Sequence, residues 1–229
     1  MRQPAPPRAF FGRRKGHKLR PNQARLFDTL LPRLSLDLSR PAPGDLGALF
    51  PTAVTEIDLE IGFGGGESMI ARASERGDTG FIGVEPFVNG MAKALAAIER
   101  GKLRNVRLHF DDAVDLIGWL PEASVARVEL IHPDPWPKRR HWKRRFVQDA
   151  TVAQLARILR RRGEFRFVTD IADYADWTLQ RFIRSNAFDW TAQCADDWRK
   201  PWSGFVATRY HAKAARDGRA SCFLLFRKI

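Results

Sequence analysis

At 229 residues, 44% of them hydrophobic, the chain suits one α/β domain with a short appendage and a full core. Lys and Arg outnumber Asp and Glu 39 to 26, a net charge of +13 that favours polyanionic partners such as nucleic acid. Cys194 and Cys222 stand too far apart for a metal motif or a disulfide framework, and no apolar run reaches membrane-spanning length, so no metal, no membrane attachment and a cytoplasmic setting are expected.

Met1 to Arg20 carry Arg, Lys and Pro and no acid, the composition of a basic arm without a core of its own. Leu26, Leu30, Leu31 and Leu34 recur at helical spacing and predict a helix within Gln23–Leu38. The Pro/Gly-rich stretch Arg40–Gly47 then divides the chain into an arm with its helix, residues 1–50, and a main domain, residues 51–229. Strand and helix signals alternate from there: strand Glu56–Ile61, helix Glu67–Arg76, strand Phe81–Val84, helix Gly90–Glu99, and strands Val106–Phe110 and Val125–Ile131. Helix Phe146–Arg161 stopped by Gly163, strand Phe165–Val168, helix Tyr174–Arg184 and a last strand over Ser221–Arg227 complete the series. Such alternation implies an α/β fold with a mostly parallel sheet covered on both faces and a ligand beyond the carboxyl ends of its strands.

The run Glu60-Ile61-Gly62-Phe63-Gly64-Gly65-Gly66 leaves the first strand and opens a helix. Gly62 and Gly64 permit a tight turn and close ligand approach, and the helix end supplies free N–H groups. The dinucleotide fingerprint fails, because Glu67 stands at its third glycine position. The spacing, acid-x-Gly-x-Gly-x-Gly, resembles the first motif of class I S-adenosylmethionine-dependent methyltransferases. S-adenosylmethionine carries a carboxylate, an ammonium, a sulfonium and a ribose but no phosphate. The helix end suits the carboxylate and Glu60 the cationic portion. Glu85 closes the second strand where an acid accepts the ribose hydroxyls, and Asp112 follows the third strand, at the adenine edge.

His132-Pro133-Asp134-Pro135-Trp136-Pro137-Lys138 follows the fourth strand. Three alternating prolines continue neither sheet nor helix, so they form a stiff loop that fixes Asp134 and Lys138. Next come Arg139, Arg140, His141, Trp142, Lys143, Arg144 and Arg145, an aromatic among cations suited to phosphates and a stacked base. This motif, with the glycine run and the arm Phe11-Gly12-Arg13-Arg14-Lys15, resembles the TrmB family of tRNA (guanine-7-)-methyltransferases over nearly the whole chain.

The resemblance implies a class I methyltransferase Rossmann-like sheet, mostly parallel with an antiparallel C-terminal strand and helices on both faces. It implies S-adenosylmethionine as cofactor and a guanosine in the tRNA variable loop as target. Glu60, Glu85, Asp112 and Asp134 would line the cofactor pocket, with Asp134 also at the reaction centre. Lys138 and Asp170 would contact substrate, as would Thr208-Arg209-Tyr210-His211, where His211 replaces the family's usual Glu. Arg13, Arg14 and Lys15 of the arm and Arg140, His141, Trp142, Lys143, Arg144 and Arg145 of the loop would engage RNA. His132 stands where an apolar residue is commoner. No obligatory protein partner is evident, and a monomer or homodimer is expected.

Guanine N7 has a free lone pair and no hydrogen, so methyl transfer there needs alignment and charge matching, without a general base. Two other readings remain. An exocyclic-amine methyltransferase would carry Asp/Asn-Pro-Pro-aromatic at this strand end, but Trp136 follows Asp134-Pro135. A non-catalytic RNA-binding protein would not need the full set of cofactor acids. A small-molecule methyltransferase fits the charge and the basic arm poorly.

Overall fold

A computed structural model describes residues 10–229, so the part of the basic arm before Phe10 lies outside the described residues. Helices α1 (Pro21–Thr29) and α2 (Leu31–Leu34) come first, then a 3-10 turn at Leu46–Leu49. The alternating series follows: β1 (Glu56–Ile61), α3 (Glu67–Glu75), β2 (Thr79–Val84), α4 (Val88–Gly101), β3 (Val106–His109), α5 (Ala113–Trp119) and β4 (Val125–Ile131). A 3-10 segment at Arg139–Arg144 leads into α6 (Asp149–Ile158), β5 (Leu159–Thr169), α7 (Ala172–Arg184) and β6 (Phe188–Trp190). The chain ends with α8 (Asp196–Arg199), α9 (Arg209–Arg216) and β7 (Cys222–Lys228).

One seven-stranded sheet runs β3-β2-β1-β4-β5-β7-β6. Strands β1 to β5 pair in parallel, and β7 is antiparallel to both its neighbours. The order reverses between β1 and β4, which opens a crevice at their carboxyl ends. No helix among the described residues is long and apolar enough to cross a membrane.

Alternation along β1 separates the two faces of the sheet. Ile57, Leu59 and Ile61 join the core under α5, α6 and α7, where Val152, Leu155 and Phe182 are buried. Glu56, Asp58 and Glu60 point to the other face, where Arg72 on α3 and Arg76 at its C-cap pair with them. Around this polar ladder a second core joins α1, α3 and α4 through Leu26, Met69, Met91 and Leu95. Helix α1 therefore docks on the main sheet domain through Leu26.

Several boundaries differ from the sequence reading. The helix expected within Gln23–Leu38 breaks at Leu30 and stops at Leu34. Pro32 has no N–H to continue α1, and Leu36 N–H instead donates to Leu108 of β3 at 3.0 Å. The helix expected over Phe146–Arg161 is shorter, Asp149–Ile158, and the chain enters β5 at Leu159. Arg160 to Gly163 bulge out of the β4 pairing, and a side chain at Gly163 would meet the Arg160 and Ala126 carbonyl oxygens at 2.8 and 3.0 Å. Helices α5 and α9 and strand β6 were not foreseen. Asp112 and Thr208 cap those two helices, accepting from Val114 N and His211 N, so residues assigned to a ligand also start helices.

Candidate active site

A cavity of about 330 Å³ lies at the carboxyl ends of β1, β2 and β4. Its floor is the turn after β1, where Gly62 and Gly64 take left-handed φ values of 67° and 58°. A side chain at Gly90 would overlap the Gly64 carbonyl oxygen, so α4 approaches this turn as closely as a glycine allows. No side chain caps α3, whose first turn opens beside it.

Glu85 is buried at the end of β2 and faces the cavity. Its oxygens accept from Gly64 N at 2.6 Å and Phe87 N at 2.9 Å. Burial raises its pKa to about 7 against those two hydrogen bonds. Asp112, also buried, lines the cavity beyond β3; Oδ1 caps α5 and Oδ2 accepts from Phe10 N at 2.9 Å. The arm thus crosses the cavity mouth. Phe10, Phe11, Gly12 and Arg13 line it, Arg14 pairs with Asp111 at 2.7 Å, and Gly16 N donates to Asn89 at 2.8 Å.

Glu60 does not line this cavity. Its carboxylate meets Arg72 at 2.9 Å, and the same guanidinium pairs with Glu129 at 3.0 Å and Asp58 at 3.2 Å. Burial raises the Glu60 pKa and Arg72 opposes the shift. In this geometry the Glu60 carboxylate joins the end of β1 to α3.

Asp134 opens into the cavity, and burial raises its pKa above the usual carboxylate value. His132 and Trp136, either side of it, hold left-handed φ values of 49° and 43°, so the backbone is strained on both flanks and pinned by Pro133, Pro135 and Pro137. His132 Nδ1 lies 3.2 Å from Asp170, whose other oxygen accepts from Arg219 at 2.6 Å. Burial works to raise the Asp170 pKa, but Arg219 and His132 bring it below its usual value. Burial lowers the His132 pKa, favouring the neutral ring. Lys138 is exposed past the loop.

The segment Thr208–His211 splits. Tyr210 lines the cavity and packs against Gly64, with Arg209 stacked on its ring at 4.7 Å. Thr208 is buried as the cap of α9. His211 faces the apolar side, 5.3 Å from Phe205 and 5.8 Å from His132 between ring centres, with Nδ1 3.3 Å from Ser221. In this geometry Thr208 and His211 support α9, and Tyr210 is the member of the segment that lines the cavity. The two departures from the family pattern, His132 and His211, touch each other.

The basic loop also divides. Arg140 and Lys143 are exposed, while Arg144 stacks over Trp136 at 4.9 Å and reaches the cavity. His141 packs edge-on against Trp136. Arg145 is buried at 1% exposure. It pairs with Asp173, donates to the Pro135 carbonyl at 2.9 Å and lies over Trp142, Tyr174 and Trp177. Arg145 is thus not an RNA contact, because burial removes it from any phosphate. Trp142 is packed on Trp177 at 5.3 Å, so of the two tryptophans in this stretch it is Trp136 that lines the cavity. Sequence reasoning missed Phe10, Phe11, Arg72 and Arg219. Only Arg72 had a signal, the three acids on one face of β1 that require a cation.

The methyltransferase family model Methyltransf_4 matches residues 55–224. A tRNA (guanine-N(7)-)-methyltransferase of Bradyrhizobium diazoefficiens is 59% identical over 96% of this chain and 94% of its own. One of Rhodopseudomonas palustris is 60% identical over 97% and 89%. Among solved structures, the 16S rRNA methyltransferase KamB superposes with a TM-score of 0.57 at 16% identity, over 76% of this chain and 88% of that one. An rRNA methylase of Streptococcus thermophilus gives 0.51 at 11%, over 80% and 92%. Those two share the fold, whereas 59–60% identity along nearly the full length is kinship of a closer kind. The chain belongs to the TrmB-type methyltransferase family.

Proposed function

We propose that the chain transfers the methyl group of S-adenosylmethionine to N7 of a guanosine in tRNA, in the variable loop, forming 7-methylguanosine. One observation carries the reading: Glu85, Asp112 and Asp134, from three strand ends, converge on one cavity. That cavity suits the cofactor. Glu85 offers carboxylate oxygens fixed by two amides, and α3 offers an uncapped N-terminal turn. The cofactor would supply an electrophilic methyl on a sulfonium; the rest is the work of this chain's residues. Glu85 accepts the ribose hydroxyls. Asp112 accepts the adenine amino group beside, or in exchange for, the Phe10 amide.

Asp134, held by strained and proline-flanked backbone, places a carboxylate beside the reacting atoms and balances positive charge as it moves from sulfur to the purine. Asp170, held by His132 and Arg219, presents a second carboxylate toward the guanine N–H edge. Tyr210 and Trp136 offer aromatic faces at the mouth for an extruded base. No side chain has to remove a proton, because N7 carries none. Lys138, Arg140 and Lys143 meet phosphates. The cytoplasm, where tRNA is abundant and thiols such as Cys194 and Cys222 stay reduced, is the setting that fits. Incubation with labelled cofactor and bulk tRNA, followed by nucleoside analysis, tests the reading. Label in 7-methylguanosine supports it; label on an exocyclic amine, or none, overturns it.

A further inference from the structure

We propose that α9 carries a second RNA contact, a phosphate-backbone site formed by Lys213 and Arg216. Arg209, Lys213 and Arg216 sit at i, i+4 and i+7. At about 100° per residue they fall within an arc of roughly 60° on one face of the helix. The opposite face turns inward: Ala214 is buried and His211 packs on Phe205. Lys213 and Arg216 therefore project to solvent, and both are exposed.

Neither has an acidic partner among the described residues. Asp217, the nearest acid in sequence, pairs with Arg219 at 2.8 Å, and Arg219 in turn pairs with Asp170. The acids beside the stripe are thus already neutralised, and its positive field is open.

The helix begins at the cavity and leads away from it. Tyr210 lines the mouth, and Arg209 approaches the glycine turn. From Arg209 to Arg216 the axis advances about 10 Å, enough for two phosphate contacts. The arm, with Arg13 at the mouth and Lys15 exposed beyond it, borders the cavity too. A base lowered into the cavity would have its flanking backbone gripped by the arm and by α9. A polyanion fits this surface; an apolar or acid-seeking protein partner does not.

A plainer role exists for the same residues. Cations in the last turn of a helix stabilise its dipole. The two roles differ in what they move. A dipole role shifts thermal stability and leaves RNA binding at its usual salt dependence. A phosphate role lowers the salt dependence of RNA affinity and leaves the fold alone.

The proposal rests on tRNA being the substrate, but its test reads binding and so stands apart from methyl transfer. The Lys213→Ala/Arg216→Ala protein is titrated with unmodified tRNA over a range of salt. Arg161→Ala/Arg162→Ala is the control, since those exposed cations lie near the start of β5, at the amino ends of the parallel strands and so opposite the cavity at their carboxyl ends. The α9 variant should lose nearly two units of log–log salt slope and about tenfold in affinity at moderate salt. Its melting temperature and cofactor affinity should match wild type, and the control should keep the wild-type slope. An unchanged slope for the α9 variant overturns the site, as does an equal loss in the control, which would mean diffuse charge. A fall in melting temperature without a change in slope assigns Lys213 and Arg216 to the helix dipole and equally overturns it. Failure of the wild type to methylate tRNA would refute the proposed activity and leave this measurement interpretable.

Discussion

At the scale of single residues, environment separates side chains that look alike in sequence. Glu60 is the penultimate residue of β1, and Glu85 directly follows β2. Glu85 faces the cavity with two amides on its oxygens, whereas Glu60 faces Arg72. Glu85→Ala should weaken cofactor binding by about 1–3 kcal/mol, read by calorimetry, the scale of hydrogen bonds to a charged acceptor. Its pKa also predicts a pH effect. The value is raised from 4.5 to about 7, so the protonated form dominates below that and accepts fewer hydroxyl hydrogen bonds. Cofactor affinity should rise with pH up to about 7 and then level off, and Glu85→Gln should flatten that rise. Arg144 and Arg145 are adjacent, yet only Arg144 reaches the cavity. Arg145→Ala should cost about 2–4 kcal/mol in denaturant unfolding by removing a buried guanidinium packed on three aromatic rings and paired at its outer end with Asp173, while the salt slope of tRNA binding stays at the wild-type value. A reduced slope with intact stability would return Arg145 to the RNA surface.

Among the elements, strands and the glycine turn were legible because hydrophobic runs and glycines obey local rules. Strands β1, β3 and β4 begin where their patterns begin. Helix α5 was missed because Asp112 reads equally as a strand-end acid and as a cap. Helix α9 was missed because only Ala214 is buried in it, so its sequence has almost no apolar period. The α6 boundary was misplaced since Leu159 suits either a helix or a buried strand, and the bulge at Arg160–Gly163 is settled by pairing with β4. The closeness of α4 to the glycine turn gives an element-scale prediction. Gly90→Ala should push the helix from Gly64, lower stability by about 1–3 kcal/mol and weaken cofactor binding, seen together in thermal unfolding with and without cofactor. Equal cofactor-induced stabilisation in mutant and wild type would contradict that coupling. The arm gives another. Arg14 is engaged by Asp111, so Arg13 and Lys15 are its cations without an acidic partner among the described residues at the mouth. Arg13→Ala/Lys15→Ala should lower the salt slope of tRNA binding by somewhat under two units; a wild-type slope would remove them from the RNA path.

Across the whole molecule, the sheet order decides where chemistry happens. The reversal between β1 and β4 opens the crevice, and the three carboxylates arrive there from the ends of three successive strands, β2, β3 and β4. The site as a set was legible, since each acid follows its own strand. What the sequence could not display was orientation: Glu60 turned to α3, His211 turned to Phe205, and the arm laid across Asp112. Those depend on packing between distant segments. The central claim is that this crevice delivers a methyl group to guanine N7 beside Asp134. Its most direct test treats tRNA with the protein and cofactor and then cleaves the RNA chemically at 7-methylguanosine. Wild type should give strand scission at one guanosine of the variable loop, and a folded Asp134→Ala protein should give none. Scission undiminished in that variant, or methyl incorporation without scission in the wild type, would contradict the account.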